Sequence, residues 1–212
     1  MTPEDRQAHP DPLSVRKAGS SRDAAPTLAR DVLERVRTRD PQALGAFYDR
    51  YVDQVLGLAL RLLGDRTAAE DITQEVFLKV HRAAAQLDAS RDPAPWLAAI
   101  ATNTCRDLWR SGAHRLRQRS DSIEDTAGLA ERLTRGDDEP ERDALARERQ
   151  KLVQEAITGL PEPLRVAVVL HDYEGLDHIE VARITGVGHA AARKRYSRAL
   201  QALGKMLKEK LG

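Results

Sequence analysis

The amino-acid sequence predicts an all-α protein, organised as two small helical domains joined by a flexible linker. Alanine- and leucine-rich segments with 32% charged residues favour helix. Apolar side chains recur at helical spacing in both halves of the chain. No convincing run of alternating apolar and polar residues indicates a strand. With only 4% aromatic residues, the core must consist mainly of Ala, Leu, Val and Ile.

Composition divides the chain into four parts. Residues 1–26 contain four prolines among small and charged residues, which predicts a disordered tail. Residues 27–112 form the first predicted domain and residues 144–212 the second. Between them, residues 113–143 are predicted to be a flexible acidic linker, because residues 121–148 hold ten acids against four arginines.

Helix signals in the first domain come from caps and glycine. Thr27 is expected to cap the first helix, and Asp40, followed by proline, to begin the second. Gly64 is expected to end that second helix. The third helix is predicted to begin with a capping box at Thr67, with Asp65 as an alternative cap.

The third helix is predicted to have one apolar and one acidic face. Ile72, Val76, Phe77 and Val80 point one way. From charge alone, the polar face is most simply explained as solvated surface. Its candidate functional residues are Asp71, Gln74, Glu75 and Lys79.

The fourth helix, after a polar loop that contains Arg91, is predicted to carry nucleic-acid-binding residues. Asparagine can contact base edges, arginine can hold phosphate, and an aromatic ring can stack on an unpaired base. Its predicted buried stripe is Trp96, Leu97, Ile100, Thr104 and Leu108. Either Trp96 or Trp109 could be core filler, and the other is the stacking candidate. Its predicted polar face is Asn103, Arg106, Asp107 and Arg110.

The second domain is predicted to end in a helix-turn-helix. Asp177 with Glu180 forms a candidate capping box, Gly186 a turn, and a long helix starts near Gly188. From His189 onward, seven Lys or Arg residues oppose one Glu. The second helix of such a motif enters the major groove with its N-terminal residues. The candidate DNA contacts are His189, Ala190, Arg193, Lys194 and Ser197, with Arg198 suited to phosphate.

Composition argues against several other classes of protein. The single cysteine excludes an internal disulfide, and the six histidines include no pair at helical metal-ligand spacing. No catalytic constellation or phosphate-binding glycine loop is evident, so we expect no cofactor, no metal and no enzymatic activity. No apolar run approaches the length of a membrane span, which predicts a cytoplasmic protein without membrane insertion.

Two segments together resemble a known family. GDRTAAEDITQEVFLKVHRA followed by PWLAAIATNTCRDLWR resembles the sigma-two domain of bacterial extracytoplasmic-function (ECF) sigma factors of the sigma-70 superfamily. LPEPLRVAVVLHDYEGLDHIEVARITGVGHAAARKRYSRAL resembles their sigma-four domain. The resemblance implies that Asp71, Gln74, Glu75 and Lys79 bind the β′ clamp helices of core RNA polymerase. It further implies capture of the melted minus-ten promoter element by Arg91, Trp96, Asn103, Arg106, Asp107 and Arg110.

For the second domain, the resemblance implies recognition of the minus-thirty-five element by the helix from Gly188 to Ser197, with docking on the β flap. An anti-sigma factor is a further implied partner. The chain departs from the family pattern at Ala190-Ala191-Ala192, where Gly-Thr-Val is common, and at Lys194, where Ser is common. These departures predict an unusual upstream element.

An ordinary helix-turn-helix regulator that binds duplex DNA without polymerase remains an alternative. It explains Asp177 to Leu203 equally well. It gives no role to the acidic third helix or to the face with Trp96, Asn103 and Asp107.

Overall fold

A computed structural model describes residues 27–112 and 140–211, with backbone alone for 140–147 and 211. Within these ranges the chain is helical and contains no strand, which confirms the predicted fold class. The predicted tail, and the predicted linker as far as residue 139, lie outside them. The helices are α1 (Arg30–Arg37), α2 (Pro41–Leu63), α3 (Arg66–Ala83), α4 (Ala94–Arg110), α5 (Pro140–Thr158), α6 (Glu162–Val168), α7 (His178–Thr185) and α8 (His189–Leu211).

The first domain packs α2, α3 and α4 against one another, with α1 against α2. Helix α2 begins after Asp40 as predicted, and the structure shows that Asp40 caps it, because its carboxylate accepts a 2.9 Å hydrogen bond from the backbone N–H of Ala43. Gly64 ends α2 with a left-handed φ of 72°, a conformation that glycine adopts without a Cβ penalty. The largest buried side chains of α2 are Phe47, Tyr51, Leu58 and Leu62.

Two predicted caps of this domain are wrong. The first helix begins at Arg30 after Ala29, whose backbone is extended and whose side chain has no capping group, so Thr27 does not cap it. The third helix is capped by the alternative, Asp65, which accepts a hydrogen bond of 2.9 Å from Ala68 N. Asp65 has the extended backbone that a cap requires, whereas Thr67 already lies inside the helix.

The buried face of α4 differs from the predicted stripe. Leu97 and Thr104 are buried as predicted, but Trp96, Ile100 and Leu108 are only partly buried. Small residues occupy the rest of the buried face, namely Ala98, Ala101, Thr102 and Cys105. This face packs against both α2 and α3.

The second domain contains the predicted helix-turn-helix, α7 and α8. Asp177 and Glu180 form the predicted capping box, with Asp177 accepting from Glu180 N at 2.8 Å and Glu180 accepting from Asp177 N at 3.2 Å. Gly186 makes the turn at a φ of 68°. The core of the motif includes Leu176, Val181, Ala182, Ile184, Ala192, Ala199 and Leu203. After α6, a π-helical turn at Val169–Tyr173 leads towards α7.

The two domains share one continuous cluster of buried side chains, to which Leu62 and Leu63 of the first domain and Ile157 and Leu160 of the second belong. Helix α2 contacts both α5 and the π-helical turn. Across the described residues, no helix combines the length and apolarity needed to span a membrane.

Candidate functional site

An exposed surface on α3 carries the acidic residues that the sequence singled out. Asp71 and Gln74 are exposed and Glu75 is partly exposed. Because helical neighbours lie three and four residues apart, these three side chains share one face. Glu75 also lies 3.9 Å from the guanidinium of Arg82, about two helical turns beyond it. We call Asp71, Gln74, Glu75 and Leu78 the α3 surface.

Leu78 is a member of this surface that the sequence analysis did not identify. Its side chain is 53% exposed, one of few large apolar side chains in that state within the described residues. Its position, three residues after Glu75, places it on the polar face, and that periodicity was the signal available in the sequence. An apolar side chain ringed by polar ones is a common arrangement at protein interfaces.

Lys79 points away from the α3 surface. Its ammonium donates to the Thr104 hydroxyl at 3.1 Å and lies 3.5 Å from the Asp107 carboxylate. Lys79 therefore connects α3 to α4 and orients Asp107, and its predicted contact with polymerase stays a prediction.

The predicted polar face of α4 is divided between two environments. Asn103, Asp107 and Arg110 are exposed at positions i, i+4 and i+7, so they form one face, which we call the α4 surface. Trp96 lies partly buried in the first turn of the helix. Arg106, in contrast, is only 13% exposed and pairs with Glu162 of the second domain at 3.2 Å.

Hydrogen bonds within the loop before α4 hold its backbone in place. The Asp88 carboxylate accepts from the backbone N–H and the hydroxyl of Ser90, at 2.9 and 2.6 Å. These bonds hold the pKa of the Asp88 carboxyl below its ordinary value. Asp92 accepts from Ala94 N at 3.0 Å, at the start of α4. The loop thus presents Arg91 as an exposed side chain just before α4.

The N-terminal half of α8 presents every predicted duplex-contacting residue to solvent. One exposed surface of the second domain, the α8 surface, consists of His189, Ala190, Arg193, Lys194, Ser197 and Arg198. The buried Ala192 and Ala199 lie on the opposite side, against α6 and α7. This is the arrangement that places the second helix of a helix-turn-helix in the major groove.

Three histidines from three different elements meet beside the α8 surface. The rings of His171 and His178 stack at 4.3 Å between centroids, and His189 lies 6.4 Å from His178. The ring of Tyr196 packs edge-on against His171, and its hydroxyl donates to Asp172 at 2.8 Å. Sequence analysis missed this cluster because the histidines belong to three different elements.

Burial is the main cause that lowers the pKa of His178, and the neighbouring His171, Arg193 and His189 lower it further, while Asp177 acts in the opposite direction. The neutral ring is therefore favoured in the folded domain. On unfolding, the ring regains its ordinary pKa of 6.5.

We expect the stability of the second domain to fall as pH drops below the ordinary histidine value. The unfolded chain then binds a proton that folded His178 still excludes, so protonation favours unfolding. The expected result is a smaller difference between urea midpoints at about pH 7.5 and about pH 5.5 in H178Q than in the wild type. H81Q, which replaces an exposed histidine on α3, is the matched control. Equal pH dependence in the wild type and H178Q would contradict this assignment.

Neither a metal centre nor a reactive thiol is evident in residues 27–112 and 140–211. No group of three or more His, Cys, Asp or Glu side chains there is arranged to hold a metal ion. Cys105 is buried, and burial raises its pKa to about 12, so the thiolate needed for metal binding or nucleophilic attack is disfavoured.

Two family models match this chain in the order of its two domains. The model of Sigma-70 region 2 matches residues 47–125, and that of Sigma-70 region 4 matches residues 150–203. The RNA polymerase sigma-H factor of Pseudomonas aeruginosa is 30% identical over 177 residues, which cover 83% of this chain and 92% of that protein. The ECF RNA polymerase sigma-E factor of Haemophilus influenzae is 30% identical over 169 residues, covering 79% and 89%.

A solved structure shares the fold. The sigma factor RpoE of Bartonella quintana, crystallised in complex with the anti-sigma factor NepR, superposes with a TM-score of 0.59. The match covers 77% of this chain and 96% of that one, at 18% sequence identity.

Proposed function

The chain belongs to the ECF sigma factors of the sigma-70 family, and we propose how its surfaces divide the work of a sigma factor. Residues 27–112 act as the sigma-two domain and residues 144–212 as the sigma-four domain. The observation that carries this proposal is the separation of an acidic surface on α3 from polar and basic surfaces on α4 and α8. One chain can therefore bind polymerase and DNA simultaneously. In this proposal it acts in the cytoplasm as a specificity subunit of polymerase and not as an enzyme.

The α3 surface binds the β′ clamp helices of core RNA polymerase. Leu78 supplies an apolar contact at its centre, and Asp71 and Glu75 supply negative charge around it. Surfaces of this type gain affinity from a desolvated apolar residue, and gain orientation and speed of association from the surrounding charges.

The α4 surface captures the melted minus-ten element. Asn103 offers an amide to the edge of an unpaired base, and Arg110 offers a cation to phosphate. Asp107 is held in position by Lys79, and Arg91 is exposed on the loop before α4. Stacking on an aromatic ring such as Trp96 contributes roughly 1–3 kcal/mol per base, enough to offset much of the cost of unstacking.

The α8 surface recognises the minus-thirty-five element as duplex DNA. Arg193 and Lys194 contact base edges or phosphate in the major groove, and Arg198 contacts phosphate. Because two weakly binding domains on one chain benefit from high effective concentration, neither domain needs high affinity by itself. The β flap of polymerase is the proposed partner of sigma-four.

An anti-sigma factor is a further proposed partner. The related fold of the Bartonella quintana protein was solved with such a factor. A protein that covers the α3 surface would compete directly with polymerase for Asp71, Gln74 and Leu78.

Binding to core RNA polymerase in the absence of DNA tests this proposal. Native gel shift or co-elution with core enzyme is expected to give a one-to-one complex. A protein that binds duplex promoter DNA but shows no association with core enzyme would instead be a helix-turn-helix regulator.

A further inference from the structure

The C-terminal end of α2 in the first domain is capped by side chains of the second domain. Gln154 donates to the carbonyls of Leu60 and Arg61 at 3.3 and 3.4 Å, and Arg165 donates to the carbonyl of Leu62 at 2.6 Å. The last carbonyls of a helix have no partner within that helix and carry partial negative charge. The second domain therefore supplies both the donors and the positive charge that this helix end requires.

Arg165 connects the two domains from a largely buried position. Besides Leu62, its guanidinium donates to the carbonyls of Thr158 and Leu160 within its own domain. It also lies over the ring of Trp109 of α4, 5.6 Å from the centroid. Burial lowers the pKa of Arg165 and the neighbouring Glu162 opposes that shift. A cation withdrawn from water in this way is stable only while its acceptors stay in place.

Further contacts join the two domains. Gln54 of α2 donates to Glu174 at 2.8 Å, and Glu174 is only 7% exposed. The guanidinium of Arg61 lies 4.6 Å from the centroid of the Tyr173 ring. Arg106 of α4 pairs with Glu162 of α6 at 3.2 Å. Together with the apolar cluster that both domains share, these contacts give the interface both a buried apolar part and hydrogen-bonded parts.

We propose that sigma-four docks on sigma-two through this interface in the protein without polymerase, and that docking withholds Arg106 and Trp109 of α4 from promoter DNA. This inference rests on the proposed DNA-binding role of α4. In the docked state the Glu162 carboxylate pairs with the Arg106 guanidinium and takes the place that a DNA phosphate would have. Separation of the domains makes that arginine available.

The docked state leaves the other two surfaces accessible. Asp71, Gln74 and Leu78 of α3 remain exposed, as do Arg193 and Lys194 of α8. The docked protein can therefore bind core polymerase first. Sigma-four then leaves sigma-two when polymerase and upstream DNA hold it elsewhere, and Arg106 and Trp109 of α4 become available for the minus-ten strand.

A disulfide across the interface tests this order of events. A Cβ added at Gly64 would lie 3.3 Å from the Cβ of Thr158, close to the roughly 3.5–4.5 Å found in disulfides. Mild oxidation of the G64C/T158C variant is expected to form this bond within one chain. The native Cys105 is buried and does not compete. The control pair is G45C/T158C, because Gly45 precedes Gly64 by about 28 Å along α2.

The oxidised variant is expected to bind core enzyme through the α3 surface, at an affinity lowered by the loss of the β-flap contact. At saturating core enzyme it is expected to lose roughly 100-fold or more in promoter-dependent initiation, the advantage that two linked domains provide. Reductant should restore initiation. Failure of the disulfide to form faster than in the control pair, complete loss of core binding on oxidation, or full initiation by the oxidised protein would each overturn the inference. Reduced and wild-type protein serve as references, so a failure of the sigma function itself appears as no initiation in any sample.

A second variant probes a different contact of the same interface. E162A removes the exposed partner of Arg106 and replaces no residue that is proposed to contact DNA. In the cysteine-pair background, it is expected to lower the effective concentration of the two thiols in glutathione buffers by roughly two- to fivefold. E209A, which removes an exposed ion pair of α8 elsewhere, is the matched control. If the effective concentration of the two thiols is the same with and without E162A, this contact does not contribute to docking.

Discussion

Replacing Asp71 and Glu75 with lysine is expected to weaken binding to core RNA polymerase by roughly 100-fold, since like charges brought together at an interface cost several kcal/mol. Both residues are on the same face of α3 as the exposed Leu78, so the change falls at the centre of the proposed contact. The dissociation constant for core enzyme, measured by fluorescence anisotropy at fixed salt, gives the effect.

The matched control for this variant is D49K/D53K. These aspartates are exposed on α2 of the same domain, with the same spacing of four residues and the same change in charge. If the control weakens core binding as much as D71K/E75K does, net charge and not the α3 surface determines affinity. An unchanged helical circular dichroism spectrum in both variants separates a lost contact from misfolding.

Replacing Arg193 and Lys194 with alanine is expected to reduce initiation from promoters with an upstream element by roughly 10- to 100-fold. Each lost contact to a base edge is worth about 1–3 kcal/mol. Each lost phosphate contact reduces the slope of log binding constant against log salt concentration by about one. Both side chains are exposed on the N-terminal half of α8, where a helix-turn-helix approaches bases. Core affinity is expected to remain unchanged.

K205A/K208A is the control for this second variant. It removes the same charge from the exposed C-terminal half of the same helix. Equal losses in the two variants would mean that α8 contributes only general positive charge. Retention of upstream-element dependence in R193A/K194A would show that another surface recognises the element.

Features set by neighbouring residues could be predicted from the sequence. Asp40, Gly64, Asp177 and Gly186 all lie where predicted, because helix capping and left-handed turns depend on a few adjacent residues. The Thr67 prediction was wrong for a local reason too, since Asp65 two residues earlier is an equally good cap and has the extended backbone. Side-chain chemistry by itself did not decide between them.

Features that depend on packing could not be predicted in the same way. The buried face of α4 is centred on small residues such as Ala101, which approach two helices at once and carry little hydrophobic signal. Arg106 has the same sequence pattern as Asn103 and Arg110, yet its partner Glu162 is 56 residues away. Periodicity assigns residues to a face of one helix and contains no information on which domain later covers that face.

The most direct test of the whole account is in vitro transcription with core RNA polymerase of the bacterium that encodes the chain, on a promoter library. The expected result is initiation at defined start sites from templates that share two separated sequence elements, above the level given by core enzyme alone. Lengthening the spacer between those elements by half a turn of DNA, about 5 base pairs, should abolish most of this initiation, because one chain must contact both elements. No initiation above core enzyme alone, together with no detectable core binding, would contradict the account.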